Sequence, residues 1–217
     1  MAFALQMINK TLRKQEEIVN SLTHGIGFIG AIALTVLLVH KASLHGDVWH
    51  IVSFSIFGIG MMLVYLSSTL YHKERNLRKK YRLNIYDHST IYILIAATYT
   101  PITLVSIRGG FGWTLFGLAW GMAIFGIIFK IWFYSPKLRK LSLWLYIVMG
   151  WLILIAIVPI LKNVPEVSLW YLLIGSLSYF SSTYFYLYKK IPFHHGIFHL
   201  LILGGSICHF FAFYFLI

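Results

Sequence analysis

Seven apolar runs dominate the chain, at roughly 22–40, 48–72, 85–107, 111–134, 141–161, 167–188 and 193–217, with short polar segments between them. Each holds about 19–25 residues, enough for a helix to cross a hydrocarbon core of about 30 Å at about 1.5 Å per residue. The runs are continuously apolar and do not alternate, which predicts helices and argues against the strands of a membrane barrel. The pattern therefore predicts an all-α, polytopic membrane protein. Residues 21–217 form a seven-transmembrane-helix bundle, and the polar, basic residues 1–20 form a cytosolic N-terminal segment lying as a short helix at the interface.

Composition narrows this further. Of 217 residues, 59% are hydrophobic and 11% charged, against about 25% charged in ordinary soluble domains; the mean hydropathy is +0.78. The short connections leave no room for a second, soluble domain. Residues 1–17 contain no compact apolar core followed by a small-residue cleavage site, so the first span is expected to act as the insertion signal. The single cysteine, Cys208, allows no intramolecular disulfide and no cysteine-rich zinc site.

A net charge of +12 would suit nucleic acid, but the basic residues cluster at alternate helix ends, as lipid topology demands. No nucleic-acid partner is expected. With the N-terminus inside, fifteen of the eighteen lysines and arginines fall on the inner side: in the tail, in 73–82, in 130–140 and at 189–190. Lys41, Arg108 and Lys162 alone lie outside. The N-terminus is thus placed in the cytosol and the C-terminus outside. Lys130, near the end of the fourth run, is expected to snorkel to the interface. Pro101 and Pro159 are expected to kink or end helices, and the glycines of runs 1, 2 and 7 to let backbones approach closely.

The informative residues are those that an apolar helix has no use for. His195 and His199 are four apart, so a helix sets both imidazoles on one face. Ser68 and His72 repeat that spacing at the inner end of run 2. Five of the six acids lie in the tail or loops; only Asp87 stands at the mouth of a span, where a carboxylate is costly and a functional candidate. The N-in topology brings His72, Asp87, His195 and His199, with Asn20 and His24, into one layer near the inner leaflet. His88 adjoins Asp87. His209 lies ten residues beyond His199, about 15 Å deeper by helical rise, and reads as a buried, hydrogen-bonded neighbour, not a ligand.

Three imidazoles and one open position make the catalytic form of zinc site, in which bound water is acidified to a pKa of about 7. Asp87 is placed to hold that water or take its proton, and Ser68 to hydrogen-bond the nucleophile or a developing oxyanion. Spacing alone serves equally well a structural zinc staple between spans 2 and 7.

These residues fall in recognisable motifs: Glu-Glu-Ile-Val-Asn-Ser-Leu-Thr-His-Gly at 16–25, Ser-Ser-Thr-Leu-Tyr-His at 67–72, Tyr-Asp-His-Ser-Thr at 86–90 with Thr-Tyr-Thr-Pro at 98–101, His-Gly-Ile-Phe-His at 195–199 and Cys-His-Phe at 208–210. Together they resemble the progestin and adiponectin receptor family, in its bacterial hemolysin III branch, over essentially the whole chain. The resemblance implies seven transmembrane helices with the N-terminus inside and a zinc ion near the cytosolic face. It also implies zinc-binding histidines at His72, His195 and His199, a water-holding aspartate at Asp87 and a serine at Ser68.

The wider superfamily contains ceramidase-like membrane hydrolases. The leading expectation is therefore a zinc-dependent intramembrane hydrolase of the cell membrane, cleaving an acyl amide or ester bond of a membrane lipid. The alternatives are a non-enzymatic, zinc-stapled sensor or regulator of the bilayer, and a cytolytic pore-former. The seven apolar spans offer the last of these no polar lumen.

Overall fold

A computed structural model describes the backbone of residues 2–133, 139–188 and 190–217, and the side chains of 11–133, 140–188 and 190–217. Of the basic residues used to orient the chain, Lys137 and Lys189, and the side chains of Lys10 and Arg139, lie outside the described residues. Those described contain helices and no strand. The helices are α1 (Ala2–His45), α2 (Val48–Lys73), α3 (Leu77–Pro101), α4 (Gly110–Trp132), α5 (Arg139–Trp151), α6 (Ile157–Asn163), α7 (Glu166–Leu187) and α8 (His194–Tyr214).

Local chemistry sets the boundaries. α1 runs without a break from Ala2 through the first apolar run. It ends at Gly46, and Asp47 starts α2 with a capping box: its carboxylate accepts from the backbone N–H groups of Trp49 and His50, and His50 Nδ1 accepts from the Asp47 N–H. Asn76 caps α3 from one side only, its side-chain oxygen accepting from the N–H groups of Arg78 and Lys79. At Pro101 the α-helical ladder of α3 gives way to a π-helical segment, Ile102–Ser106, because proline removes one N–H and crowds the preceding turn. The fifth apolar run is also interrupted. α5 passes into a 3₁₀ segment, Leu152–Ala156, before α6. The Tyr99 hydroxyl of α3 donates to the Met149 carbonyl at 2.6 Å, just before that break.

Among the described residues, six stretches are long and apolar enough to cross a membrane: Thr11–His45, Val48–Lys73, Leu77–Ser106, Gly110–Trp132, Lys140–Asn163 and His194–Tyr214. α7 is not among them, although it has 22 residues. Five serines, Thr183 and four tyrosines lower its hydropathy.

α1 packs on α2, α2 on α3, α3 on α4, and α7 on α8, while α8 also lies against α1. The first and last helices are therefore neighbours, and this brings residues near 20 against residues near 199. One part of the core is aromatic and aliphatic: Phe213 of α8 meets Phe57 edge-on at 4.8 Å and Phe54 at 6.1 Å, beside Leu38 and Ala42. Large apolar side chains such as Ile26, Ile29, Val36, Phe125 and Ile155 face outward, as a lipid solvent allows. Gly60 sets the α2–α3 distance; a Cβ there would lie 2.7 Å from that of Ala97. This close approach holds the inner ends of α2 and α3, with Ser68 and Asp87, side by side.

Candidate metal centre

α8 begins under tension. Phe193, the residue before it, has φ +57°, a left-handed conformation that is costly for a bulky side chain. Glu16 of α1 holds it there by accepting the Phe193 N–H at 2.9 Å. The next turn carries His195 and the one after it His199. α2 ends on His72. One ligand nitrogen from each of His72, His195 and His199 lies within 4.8 Å of the other two. The Nε2 atoms of His72 and His195 are 3.2 Å apart.

The hydrogen bonds around the triad decide which nitrogens face inward. His72 Nδ1 donates to Glu17 Oε2 at 2.8 Å, which leaves Nε2 with its lone pair free. Glu17 Oε1 pairs with Lys80 Nζ at 2.9 Å. His199 Nδ1 donates to the Asn20 carbonyl at 3.2 Å, with Thr23 Oγ1 at 3.3 Å, and so also presents Nε2. A carboxylate or carbonyl on the far nitrogen is the usual partner of a zinc-bound histidine. Two imidazole nitrogens on one tetrahedral zinc, with bonds of about 2.0–2.1 Å, would lie about 3.3 Å apart, close to the observed separation. Without a metal, an N–H···N hydrogen bond from His195 accounts for the same approach. The donor set, its spacing and its outer partners thus fit a divalent zinc ion.

The remaining residues picked out from the sequence surround this triad or lie away from it. His24 is 2% exposed, and its ring stacks on His199 with centroids 3.6 Å apart and planes 14° from parallel. Neither ring nitrogen of His24, nor Asn20 Oδ1, has a hydrogen-bond partner among the described residues. Such atoms call for water or ligand. On α3, the Asp87 carboxylate accepts a hydrogen bond from Ser68. His88 Nδ1 donates to the Asn84 carbonyl at 2.8 Å and lies 3.6 Å from Asp87 Oδ2, too far for a hydrogen bond; its ring faces Tyr186. His209 donates to the Gly205 carbonyl at 2.8 Å and stacks on Tyr179, outside the triad.

Two charged residues gain roles that the sequence did not assign. Glu17 stands in the tail by sequence position, yet it orients His72. Its signal was spacing: Glu17, Asn20 and His24 follow one another by three and four residues and share a face of α1. Lys130 corrects an expectation. It does not snorkel; it is 2% exposed, because it ends a buried seam of small residues on α4 and not a lipid-facing stripe.

Residues 12–210 match the profile of the family described as haemolysin-III related. The chain belongs to the haemolysin-III-related family. Among similar members, the "Hemolysin-3 homolog" of Bacillus subtilis (strain 168) is 46% identical over 198 residues, covering 91% of this chain and 92% of that protein. The "Hemolysin-3" of Bacillus cereus is 44% identical over 207 residues, covering 95% and 94%. The human "Monocyte to macrophage differentiation factor" is 29% identical over 203 residues, covering 91% and 82%. The hemolysin III resemblance carried by the motifs is thus the family relationship itself, and the chain is a multi-pass membrane protein of that family.

Proposed function

We propose that this haemolysin-III-related protein is a zinc-dependent intramembrane hydrolase that cleaves an acyl amide or ester bond of a membrane lipid. In this reading it resides in the cell membrane and crosses it seven times, α7 included, with the N-terminus and residues 1–20 in the cytosol and the C-terminus outside. The observation that carries it is the convergence of His72, His195 and His199 through outward-buttressed imidazoles, with a carboxylate–hydroxyl pair, Asp87 and Ser68, on the adjoining helices.

His72, His195 and His199 would hold the metal by their inward nitrogens. Zinc so held supplies Lewis acidity toward an acyl carbonyl and a water acidified to near neutrality. Asp87 takes a proton from the attacking water and returns it to the leaving amine or alcohol. Ser68 donates its hydrogen to Asp87, so it fixes the carboxylate and keeps one oxygen facing the nucleophile. Asn20 and His24, with their unpartnered atoms, order polar groups on the α1 side. The bond formed joins the water oxygen to the acyl carbon, and the bond broken releases the amine or alcohol. Release of fatty acid from a lipid panel by the purified protein tests this, with His195→Ala and Asp87→Asn alongside. Equal release by all three proteins removes the hydrolase reading.

A second reading has its own observation. The triad and its buttresses tie α1, α2 and α8 together, as a structural staple would. A protein with stoichiometric zinc, chelator-sensitive stability and no turnover would be a zinc-stapled membrane regulator.

A further inference from the structure

The geometry points to Lys130 as the positioning residue of Asp87: a buried counter-ion, delivered by α4, that holds the carboxylate charged and turned toward Ser68. This rests on the reading of Asp87 as proton carrier only for its consequence in turnover; the pairing stands on the packing.

The buried residues of α4 are Gly112, Leu115, Ala119, Ala123, Gly126 and Lys130, spaced by three and four. They form one stripe of mostly small side chains, and α4 lays it against α3. Gly126 is a point of close approach in that contact, because Tyr92 of α3 occupies the space that a Cβ would need. The helices run antiparallel, so a step of one turn from Gly126 to Lys130 corresponds on α3 to a step from Tyr92 back toward Asp87. The ammonium group accordingly lies within Coulombic reach of that carboxylate. A lysine that is 2% exposed in a lipid-facing bundle requires such a partner. Among the described residues, the other groups facing Asp87 are the Ser68 hydroxyl from α2, the neutral Tyr146 phenol from α5, and His88 on its own helix. None of them is a fixed positive charge, so Lys130 carries the neutralisation alone among these. Removing one member of a buried pair strands the other, whereas removing both does not.

The test uses the full-length, zinc-loaded protein in detergent, with Lys130→Met, Lys130→Arg, Asp87→Asn and the Lys130→Met/Asp87→Asn double variant. Thermal unfolding and the infrared band of a protonated carboxylic acid are read for each, apart from lipid hydrolysis. Each neutral single variant should unfold at lower temperature and the double variant should recover most of the loss. Lys130→Met should gain the protonated-acid band, the double variant should lack it, and Lys130→Arg should keep the parent spectrum. Additive losses in the double variant, or an unchanged infrared spectrum in Lys130→Met, overturn the inference. If Lys130→Met does not fold, recovery of folded protein in the double variant supports the pairing, and its continued absence overturns it. A parent protein that binds zinc but releases no fatty acid disposes of the proposed reaction while the infrared and unfolding results still decide the pairing.

Discussion

Glu17 Oε2 accepts the Nδ1 proton of His72 at 2.8 Å, while its other oxygen meets Lys80 Nζ at 2.9 Å. One carboxylate from the first helix thereby fixes the tautomer of an imidazole from the second, and ties both to the start of the third. Outer partners of this kind are worth roughly 10–100-fold in metal affinity. Glu17→Ala should therefore weaken zinc binding by about that factor. Glu17→Gln should weaken it less, because its amide oxygen still accepts the proton. Lys80→Ala should have a small, salt-dependent effect, since the Glu17 side chain is 42% exposed. Competition against a chromophoric chelator measures all three.

Metal removal has a sign fixed by linkage. An ion that binds the folded state alone stabilises it by about 4 kcal/mol when present at about a thousand times its dissociation constant. The purified parent should carry zinc, and its unfolding temperature should fall on chelation and return on re-addition. His72→Ala should carry little zinc and should not respond to chelator. Elemental analysis and differential scanning fluorimetry check both halves. A parent that unfolds at the same temperature with and without chelator would show that the triad does not bind metal under those conditions.

Much of this site was legible from spacing and topology. His195 and His199, and Ser68 and His72, announce themselves as polar pairs at one-turn intervals inside apolar runs, and the bias of basic residues predicts that they share one layer. What the sequence hid was of two kinds. Glu17 has no role that the sequence assigns: its place in the polar tail points to no particular partner until α1 is seen to continue through it unbroken. Lys130 was misplaced by depth: its position near a helix end is compatible with snorkelling, and only the small-residue seam around it shows that its face meets α3. Breaks inside runs were also partly visible. Pro101 marks the end of regular α3, whereas the 3₁₀ segment at Leu152–Ala156 precedes Pro159 and is accompanied by the Tyr99 hydroxyl on the Met149 carbonyl, a tertiary contact without a local signal.

Gly126 shows how closely α4 must approach. A Cβ there would lie 2.5 Å from Tyr92 Cε1 and 2.6 Å from Cζ. Tyr92 is fully buried and its ring is packed on Tyr146 at 4.3 Å, so it has nowhere to swing. Gly126→Ala should destabilise the protein by about 1–3 kcal/mol, the usual cost of overpacking. Gly121, on the same helix with open space around it, is the control. Gly121→Ala should be neutral or slightly stabilising, because alanine favours the helix. Thermal unfolding of the two variants, side by side, separates close packing from a general intolerance of α4.

Asp47 gives a pH dependence at the other end of the bundle. Its slight burial acts upward but is outweighed by hydrogen bonds from His50 and from Arg108, which bring its pKa down to about 2 from an ordinary 3.8. The Arg108 contact is 3.0 Å long. A carboxylate with a depressed folded-state pKa contributes stability that is fully present above the unfolded value and is lost as pH falls through the folded one. Asp47→Ala removes the cap of α2, at a cost of about 1 kcal/mol near neutrality. That cost should hold down to about pH 4 and then shrink toward pH 2, as the parent loses the same interactions. Unfolding temperatures of parent and variant across this range should converge at the acid end. A gap that stays constant to the lowest pH would mean that the capping interaction does not depend on the charge of Asp47.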